Sequence, residues 1–313
     1  MPPVDLGRVR TIPLGARSNK VEQSKFATPP RPGRSFAEFF AGLPQILAGS
    51  DFRSVVAAVV ASHRAGRPVI IGFGAHVLKC GLSPVLIDLV DRGIVTALAT
   101  NGSGAIHDFE LALIGETSED VAAGLKDGTF GMVRETGELM NEAIRRSDDR
   151  PQAGLGELFG EQLDLIAAPH RQLSVAVAAR RKGIPFCVHV AIGTDIIHMH
   201  PQADGGCLGR ASFNDFKLLC GEVSNLSGGI YLNIGSAVVL PEVFLKAFTV
   251  AQNLGANLHG YTTANLDMIQ HYRSGENVVR RPASVAGVGY NLIGRHEFLV
   301  PLLAQAVVEE LAR

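Results

Sequence analysis

The chain has 313 residues, of which 46% are hydrophobic, and its formal net charge at pH 7 is −1. A chain of this size can bury a large core, in one α/β domain or in two smaller ones. The near-zero charge argues against a surface that binds nucleic acids or membranes through bulk charge. The four cysteines lack CxxC spacing and residues 1–20 lack an apolar core, so we expect a reduced, cytoplasmic protein without a signal peptide.

The N-terminal 34 residues are rich in proline and in basic residues, and we expect them to form an extended arm, with a disordered tail as the alternative. The main domain is predicted to span 35–313 and to open with a helical segment. Ser35 and Glu38 have the spacing of a capping box, which predicts a helix that starts there.

Short apolar runs alternate with helix-like segments along the main domain. The predicted buried strands cover 69–71, 94–99, 184–192, 230–234 and 257–264. Residues 270–290 have no regular pattern and are expected to be irregular, and a final helix is predicted over 298–311. Because parallel strands need a crossover, which is usually a helix, this alternation predicts a doubly wound, mostly parallel, Rossmann-like sheet in a single α/β domain.

Small or polar residues follow each predicted strand. They occupy positions 72–74, 100–104, 193–195, 235–236 and 262–265. Small residues let backbone amides approach a phosphate, and the N-terminus of the following helix favours negative charge. The GxGxxG pattern is incomplete because Val77 stands where its third glycine would be. The five turns together still predict a dinucleotide site.

Histidines and carboxylates cluster after the predicted strand at 184–192. His198 and His200 point to the same side of an extended segment, and with His189 and Asp204 they could hold a divalent metal ion. In the competing interpretation, Asp195 pairs with a cationic substrate while a histidine moves protons.

A second pair, His107 and Asp108, lies one helical turn beyond the 100–104 turn. Both side chains are expected on the first turn of a helix that faces the ligand. An aspartate near a helix N-terminus also compensates the helix dipole, which is the structural alternative.

The stretch 74–110 resembles the deoxyhypusine synthase family, in which a strand, a serine/glycine turn, a helix and a second strand lead to a Thr-Thr-Ala-Gly-Gly type of turn. Residues 100–104 resemble that turn. Residues 183–200 resemble the family's Ile-Pro strand and place Asp195 and His200 on matching positions. The sequence LNIGSAVVL, the Thr263-Ala264 pair and the C-terminal helix extend the similarity over about residues 65–313.

The resemblance implies a Rossmann-like homotetramer that binds NAD at subunit interfaces and transfers the aminobutyl group of spermidine. The residues predicted to bind NAD are Gly74, Cys80, Gly81, Thr100, Asn101, Gly102, Ser103, Gly104, Gly235, Ser236, Thr263 and Ala264. The residues predicted to be catalytic are His107, Asp108, Asp195, His198 and His200.

The chain departs from the family in one segment that matters for the chemistry. The family's catalytic lysine lies in a Trp-Gly-Lys segment, whereas residues 274–297 contain neither Lys nor Trp and instead gain Arg280, Arg281 and Arg295. This exchange favours a less cationic, carboxylate-bearing substrate. We therefore predict an NAD-dependent enzyme for an amine or related small molecule; the alternatives are a metal-dependent hydrolase or lyase and a non-catalytic nucleotide-binding protein.

Overall fold

The computed structural model describes residues 2–313, which divide into two compact units, one ending at Ser50 and one spanning Asp51–Arg313. The first unit contains three 3-10 turns and helix α1 (Phe36–Ala41). The Ser35 side chain accepts a hydrogen bond from the Glu38 amide, and Glu38 accepts one from the Ser35 amide, which confirms the predicted capping box. The arm over 1–34 stays a prediction.

The second unit is built on one sheet. Its strands are β1 (Val69–Phe73), β2 (Ala97–Asn101), β3 (Phe186–His189), β4 (Ile230–Ile234), β5 (Thr262–Asp267) and β6 (Val288–Ile293). The six strands lie in the order β3-β2-β1-β4-β5-β6, and every neighbouring pair is parallel. This is the order of doubly wound dinucleotide-binding sheets, in which the topological switch point lies between β1 and β4. The predicted fold class is confirmed.

Helices connect the strands. They are α2 (Leu47–Arg64), which starts in the first unit, α3 (Ala75–Lys79), α4 (Ser83–Asp91), α5 (Gly102–Ile114), α6 (Val121–Gly124), α7 (Arg134–Arg145), α8 (Leu155–Leu165), α9 (Val175–Lys182), α10 (Gly205–Ser224), α11 (Val239–Asn253), α12 (Tyr272–Ser274), α13 (Arg281–Ala286) and α14 (His296–Leu311). Among residues 2–313 no helix combines the length and apolarity that crossing a bilayer requires.

The core lies on both faces of the sheet because the side chains of each strand alternate in direction. Ile70 of β1 packs on one face with Phe244 of α11 and residues of α10. Val69 and Ile71 of the same strand face the other layer, where they meet residues of α4 and α14. All five residues of β1 are buried, as expected for a strand covered on both sides.

The prediction that 270–290 is irregular was wrong. The segment contains α12, a π-helical turn over Gly275–Arg280, α13 and the start of β6. β6 is an edge strand in which Val288 and Ile293 are exposed, so it lacks the continuous apolar run that marks the central strands. The strand predicted over 257–264 also lies later in the chain, over Thr262–Asp267.

Candidate functional site

A cleft of about 190 Å³ opens beside the start of α5, on the side of the sheet where β2 and β3 end. It is lined by Lys79, Ser103, Ile106, His107, Glu110, Ser118, Glu119, Val121, Phe130, Thr194 and Ile196. We call it the α5 cleft. Asn101, the last residue of β2, caps α5 by accepting a hydrogen bond from the Gly104 amide at 3.0 Å. The predicted residues Ser103 and His107 therefore meet in one cavity.

Asp195 covers the N-terminus of α5. Its Oδ1 accepts a hydrogen bond from the Ser103 hydroxyl at 3.1 Å, and a Cβ placed on Gly102 would lie 2.0 Å from its Oδ2. Burial raises the pKa of this carboxyl above its ordinary value, against the opposing effect of the Ser103 hydrogen bond. A carboxylate thus occupies the position where a phosphate would meet this helix.

His107 belongs to a hydrogen-bonded chain on one side of the cleft. Its Nδ1 lies 2.6 Å from the Thr117 hydroxyl, which donates its only proton to Glu110 Oε2 at 2.5 Å. Nδ1 must therefore carry a proton and donate it to Thr117, so that Nε2 is the basic nitrogen. Burial, reinforced by the charge of Lys79, lowers the pKa of His107 to about 4. At neutral pH His107 is an uncharged proton acceptor.

Asp108 does not act in the cleft, contrary to the prediction. The side chain is 1% exposed and accepts hydrogen bonds from the Ser174 hydroxyl and the Val175 amide, both at 2.6 Å, and from the Ala176 amide at 3.1 Å. Burial raises its pKa to about 6. Asp108 therefore holds the start of α9 in place. It is not among the residues that line the α5 cleft, whereas His107 is.

The histidines after β3 are held mostly by the backbone. His198 Nδ1 accepts from the amides of Gly193 and Asp195 at 3.1 and 3.3 Å, and its Nε2 lies 3.9 Å from Asp195 Oδ2. His200 Nε2 donates to the Gly131 carbonyl at 2.8 Å. Only His198 of this pair contacts the residue that covers α5, so it is placed to orient Asp195, whereas His200 ties two loops together.

The alternative metal set of His189, His198, His200 and Asp204 is not assembled. Asp204 is exposed and caps α10 through the Cys207 amide at 2.9 Å. His189 is buried at the end of β3, where burial lowers its pKa to about 4. Within residues 2–313, the one group of three or more potential ligands that lie close together is elsewhere. The extended geometry assumed for 198–200 is replaced by a 3-10 turn over Ile196–Met199.

Several residues predicted to bind NAD are packed against this chain itself. Thr100 donates to the Phe73 carbonyl at 2.9 Å, and a Cβ on Gly104 would lie 2.1 Å from the Thr100 hydroxyl oxygen. A Cβ on Gly74 would lie 2.2 Å from the Gly235 carbonyl oxygen. Only glycine fits at these two positions, because neighbouring atoms of the protein fill the space that a side chain would need.

Two further predictions about the cofactor residues need correction. Thr263 and Ala264 lie inside β5 rather than at its end, and both are fully buried, so they do not line a cleft. Asp267 is the residue at the end of this strand. Gly81 follows α3 on the surface with a φ of +73°, and a Cβ added to it would meet no atom within 4 Å. Cys80 lies half-buried beside His76 and His296.

The turn between β4 and α11 is open. The Ser236 hydroxyl accepts from the Leu240 amide at 3.2 Å, but α11 has no side-chain cap. The amides of Ala237, Val238 and Val239 meet no acceptor among residues 2–313. This 15-residue helix therefore directs free N–H groups and its positive end beside the switch point, an arrangement that binds anions.

Sequence reasoning missed Lys79, Glu110 and Thr117. Glu110 is three residues after His107 on α5, a spacing that places two side chains on one helix face and could have been recognised. Lys79 is the last residue of α3, which has five residues and is too short to show a helical periodicity in the sequence. Nothing in the sequence connects Thr117 with His107.

No family model and no curated protein sequence matches the chain. Among solved structures, the ternary complex of AgrE with ornithine and NAD+ is 17% identical with a TM-score of 0.54, and the match covers 85% of this chain and 34% of AgrE. A "conserved putative LOR/SDH protein" from Methanococcus maripaludis S2 is 14% identical with a TM-score of 0.52, covering 85% of this chain and 71% of that one. A "putative deoxyhypusine synthase" from Entamoeba histolytica is 11% identical with a TM-score of 0.52, covering 88% of this chain and 94% of that one.

These likenesses establish the fold. The chain has the deoxyhypusine-synthase-like α/β fold that these structures share, and it spans about a third of the AgrE chain. At such identities a shared fold does not transfer an activity, which must be argued from the site.

Proposed function

We propose that the protein is an NAD-dependent enzyme that acts on a small amine or amino acid in the α5 cleft. The observation that carries the proposal is the His107–Thr117–Glu110 chain, because it leaves a neutral imidazole with a free basic nitrogen in a partly enclosed cavity. Such a group is suited to accept a proton from a bound substrate.

The charges of the cleft fit a zwitterion. Glu110 and Glu119 can accept hydrogen bonds from a substrate ammonium, while the ammonium of Lys79 can pair with a substrate carboxylate. The sequence suggested that arginines bind the substrate carboxylate, but Arg280 is paired with Glu276 and Arg281 donates to Asn277. Lys79 would bind the carboxylate instead. AgrE, which shares the fold, was solved with an amino acid, ornithine.

In this mechanism the substrate ammonium first loses a proton to solvent and the substrate reacts as its neutral amine, because an imidazole with a pKa of about 4 is too weak a base to deprotonate an ammonium. His107 Nε2 then takes a proton from that nitrogen as positive charge develops on it. Thr117 and Glu110 stabilise the resulting imidazolium by accepting the Nδ1 hydrogen bond and balancing its charge. Asp195, held by Ser103 and adjacent to His198, fixes the wall of the cleft around Thr194 and Ile196. Bound NAD+ would supply the hydride acceptor for the carbon that carries the amine.

Of the two helix N-termini that could bind the phosphates of a dinucleotide, those of α5 and α11, only that of α11 fits. The start of α5 does not fit a phosphate because the Asp195 carboxylate already lies there. The β4–α11 turn fits a phosphate because the amides of Ala237, Val238 and Val239 are free and the N-cap residue Val238 supplies no side-chain cap. Of the residues predicted to bind NAD, Gly235 and Ser236 belong to this turn, and the free amides of the next three residues, Ala237, Val238 and Val239, would hold the pyrophosphate. The solved complex of AgrE with NAD+ supports the choice of cofactor.

The more specific form of the proposal is transfer of an aminobutyl-type group to a second amine by a homotetramer with interface sites. The fold shared with the Entamoeba protein supports this form. The missing lysine means that the acceptor amine would take the group directly from the donor, whose remaining part would leave as a free amine, without an imine to residues 274–297. Bound NAD+ would supply a hydride acceptor that returns the hydride, so this form of the reaction has no net oxidation.

The test combines binding and turnover. We expect NAD+ to raise the melting temperature of the purified protein, and NADH to form when a panel of amino acids and polyamines is added. His107→Gln should keep the NAD-dependent melting shift and lose turnover, while the exposed His259, which precedes β5, provides the matched control His259→Gln. Absence of any NAD-dependent shift would reject the proposal, and a shift without turnover of any compound would favour the non-catalytic nucleotide-binding alternative.

A further inference from the structure

A second group of chemically active side chains lies outside the α5 cleft. His76 is in α3, Cys80 caps the C-terminal end of the same helix, and His296 is the first residue of α14. One nitrogen of each histidine and the Cys80 sulfur all lie within 4.8 Å of one another. Within residues 2–313 no other three His, Cys, Asp or Glu side chains come this close in a ligand-like group.

His296 lacks the partners that a buried imidazole needs. The side chain is 1% exposed, and neither Nδ1 nor Nε2 has a hydrogen-bond partner within residues 2–313. Leaving such a buried polar group unsatisfied is unfavourable. Asp267 Oδ1 lies 3.8 Å from Nε2, beyond hydrogen-bond distance, and Asp267 Oδ2 is also unpartnered. A cation bound to one nitrogen of His296 would give the ring a partner, and the Asp267 carboxylate beside the ring would help to balance the added charge.

The local backbone makes room for this arrangement. Gly235 has a φ of +65°, and a Cβ on it would lie 2.8 Å from His296 Cε1, so a glycine is required beside the ring. The His76 and His296 rings meet edge to face with centroids 5.7 Å apart, which leaves their nitrogens free of stacking. The four-residue spacing of His76 and Cys80 places both on one face of α3.

We propose that His76, Cys80 and His296 form a binding site for a divalent zinc ion, with water as the fourth ligand and Asp267 beside the His296 ring. Two imidazoles and one thiolate are a donor set that suits zinc, which takes four ligands in a tetrahedron. On binding, the Cys80 thiol forms a bond from sulfur to zinc and releases its proton to solvent, so that the cysteine contributes one negative charge.

The site would clamp α3 to the start of α14. Lys79, the neighbour of Cys80, lines the α5 cleft, whereas none of the three ligands does. The zinc ion is therefore a positioning element, which holds the short α3 helix and the direction of Lys79, and it does not contact the substrate. This inference goes beyond the proposed function and does not depend on NAD binding.

The experiment uses the full chain, stripped with a chelator and then titrated with zinc. We expect one zinc ion per chain by elemental analysis, and cobalt as a spectroscopic substitute should give the thiolate charge-transfer band of a sulfur ligand. Cys80→Ser should abolish that band and His296→Asn should weaken zinc binding at least tenfold. Asp267→Asn, which removes the carboxylate that orients the His296 ring, should weaken it by about 10–100-fold.

The matched control is Cys207→Ser, which changes a cysteine of α10 outside the group and should leave the cobalt band unchanged. Sub-stoichiometric zinc in the unaltered protein, or a cobalt spectrum without a thiolate band, would overturn the proposal even if every variant failed to fold. Unchanged zinc affinity in folded Cys80→Ser and His296→Asn would also overturn it. The NAD melting shift is measured separately, so the two proposals can fail independently.

Discussion

The helices α5 and α11 follow β2 and β4, the two strands that flank β1 in the sheet, yet their N-termini differ. α5 begins after β2 with a cap from Asn101, and the carboxylate of Asp195 covers its first residue. α11 begins after β4 with no side-chain cap and with several free amides. Both turns contain glycine and serine, so they are alike in sequence and opposite in what they can bind.

This difference separates the cleft with a proton acceptor from the turn that can bind an anion, although the sequence analysis had assigned both turns to one dinucleotide site. The covered end of α5 is supplied with a negative charge by the protein, and the cleft beside it contains a proton acceptor, His107. The open end of α11 has no carboxylate against its free amides, because Glu242 of its first turn is paired with Lys246 and Arg273, and it can receive a negative charge from a ligand. A glycine-rich turn after a strand is therefore informative only together with the side chains that approach it.

The largest expected effect comes from removing the base beside the covered helix. His107→Gln keeps a polar group near Thr117 but cannot accept a proton at neutral pH, so turnover of the best substrate should fall by about 10²–10⁴-fold. Substrate KM should change little because the charged residues of the cleft remain. A variant with near-normal turnover, measured by NADH formation, would show that proton transfer occurs elsewhere.

Placing a carboxylate at the N-terminus of α11 should make it resemble the N-terminus of α5 and weaken NAD binding there. Val238 is 49% exposed at the N-cap position of α11, so Val238→Asp places a carboxylate there at little structural cost. Two charges at about 4 Å repel by roughly 1–4 kcal/mol, so NAD affinity should fall about tenfold or more. Isothermal titration with NAD measures this, and Val238→Asn, which adds no charge, is the control. Equal loss in both variants would contradict an electrostatic role for the turn.

Much of the sheet could be predicted because its central strands are simple. The run at 230–234 matches β4, and the prediction of alternating strands and helices led to the correct fold class. The edge of the sheet was predicted poorly because it contains asparagines, which are disfavoured in strands. Asn233, Asn265 and Asn291 lie in register on β4, β5 and β6 and hydrogen-bond across the strands at 2.8 Å.

That ladder explains why Thr263 and Ala264 were misplaced. The predicted strand ended at Ala264, whereas β5 runs to Asp267 and cross-strand hydrogen bonds join its Asn265 to β4 and β6. The site was harder to predict for a related reason. Only glycine fits at position 102, because the Asp195 carboxylate lies against it. These two residues are far apart in the sequence. Sequence spacing identifies the glycine but not the atom that requires it.

Opening the covered helix is the reverse experiment. Asp195→Ala removes the carboxylate from the start of α5 and leaves room beside Gly102. Inorganic phosphate or sulfate should then bind the exposed amides, and a stabilisation of about 1 kcal/mol would raise the melting temperature by about 1–2 °C. The unaltered protein and Asp195→Asn, which still fills the space, should show no such rise. An equal rise in all three proteins would mean that the anion binds at another site.

The smallest effect concerns the electrostatic influence of Lys79 on His107. Burial is the main cause of the lowered His107 pKa and the Lys79 charge is the second, so Lys79→Met should raise that pKa by less than about one unit from its value of about 4. A neutral folded-state histidine contributes stability that is present above the unfolded pKa and is lost as pH falls toward about 4, so the variant should also lose slightly less stability in acid. Titration of the His107 ring by NMR measures the change directly, without a substrate. Lys182→Met, which removes an exposed lysine that donates to the Asp91 carbonyl, is the control. A His107 pKa that does not move in Lys79→Met would show that burial alone keeps the base of the α5 cleft neutral.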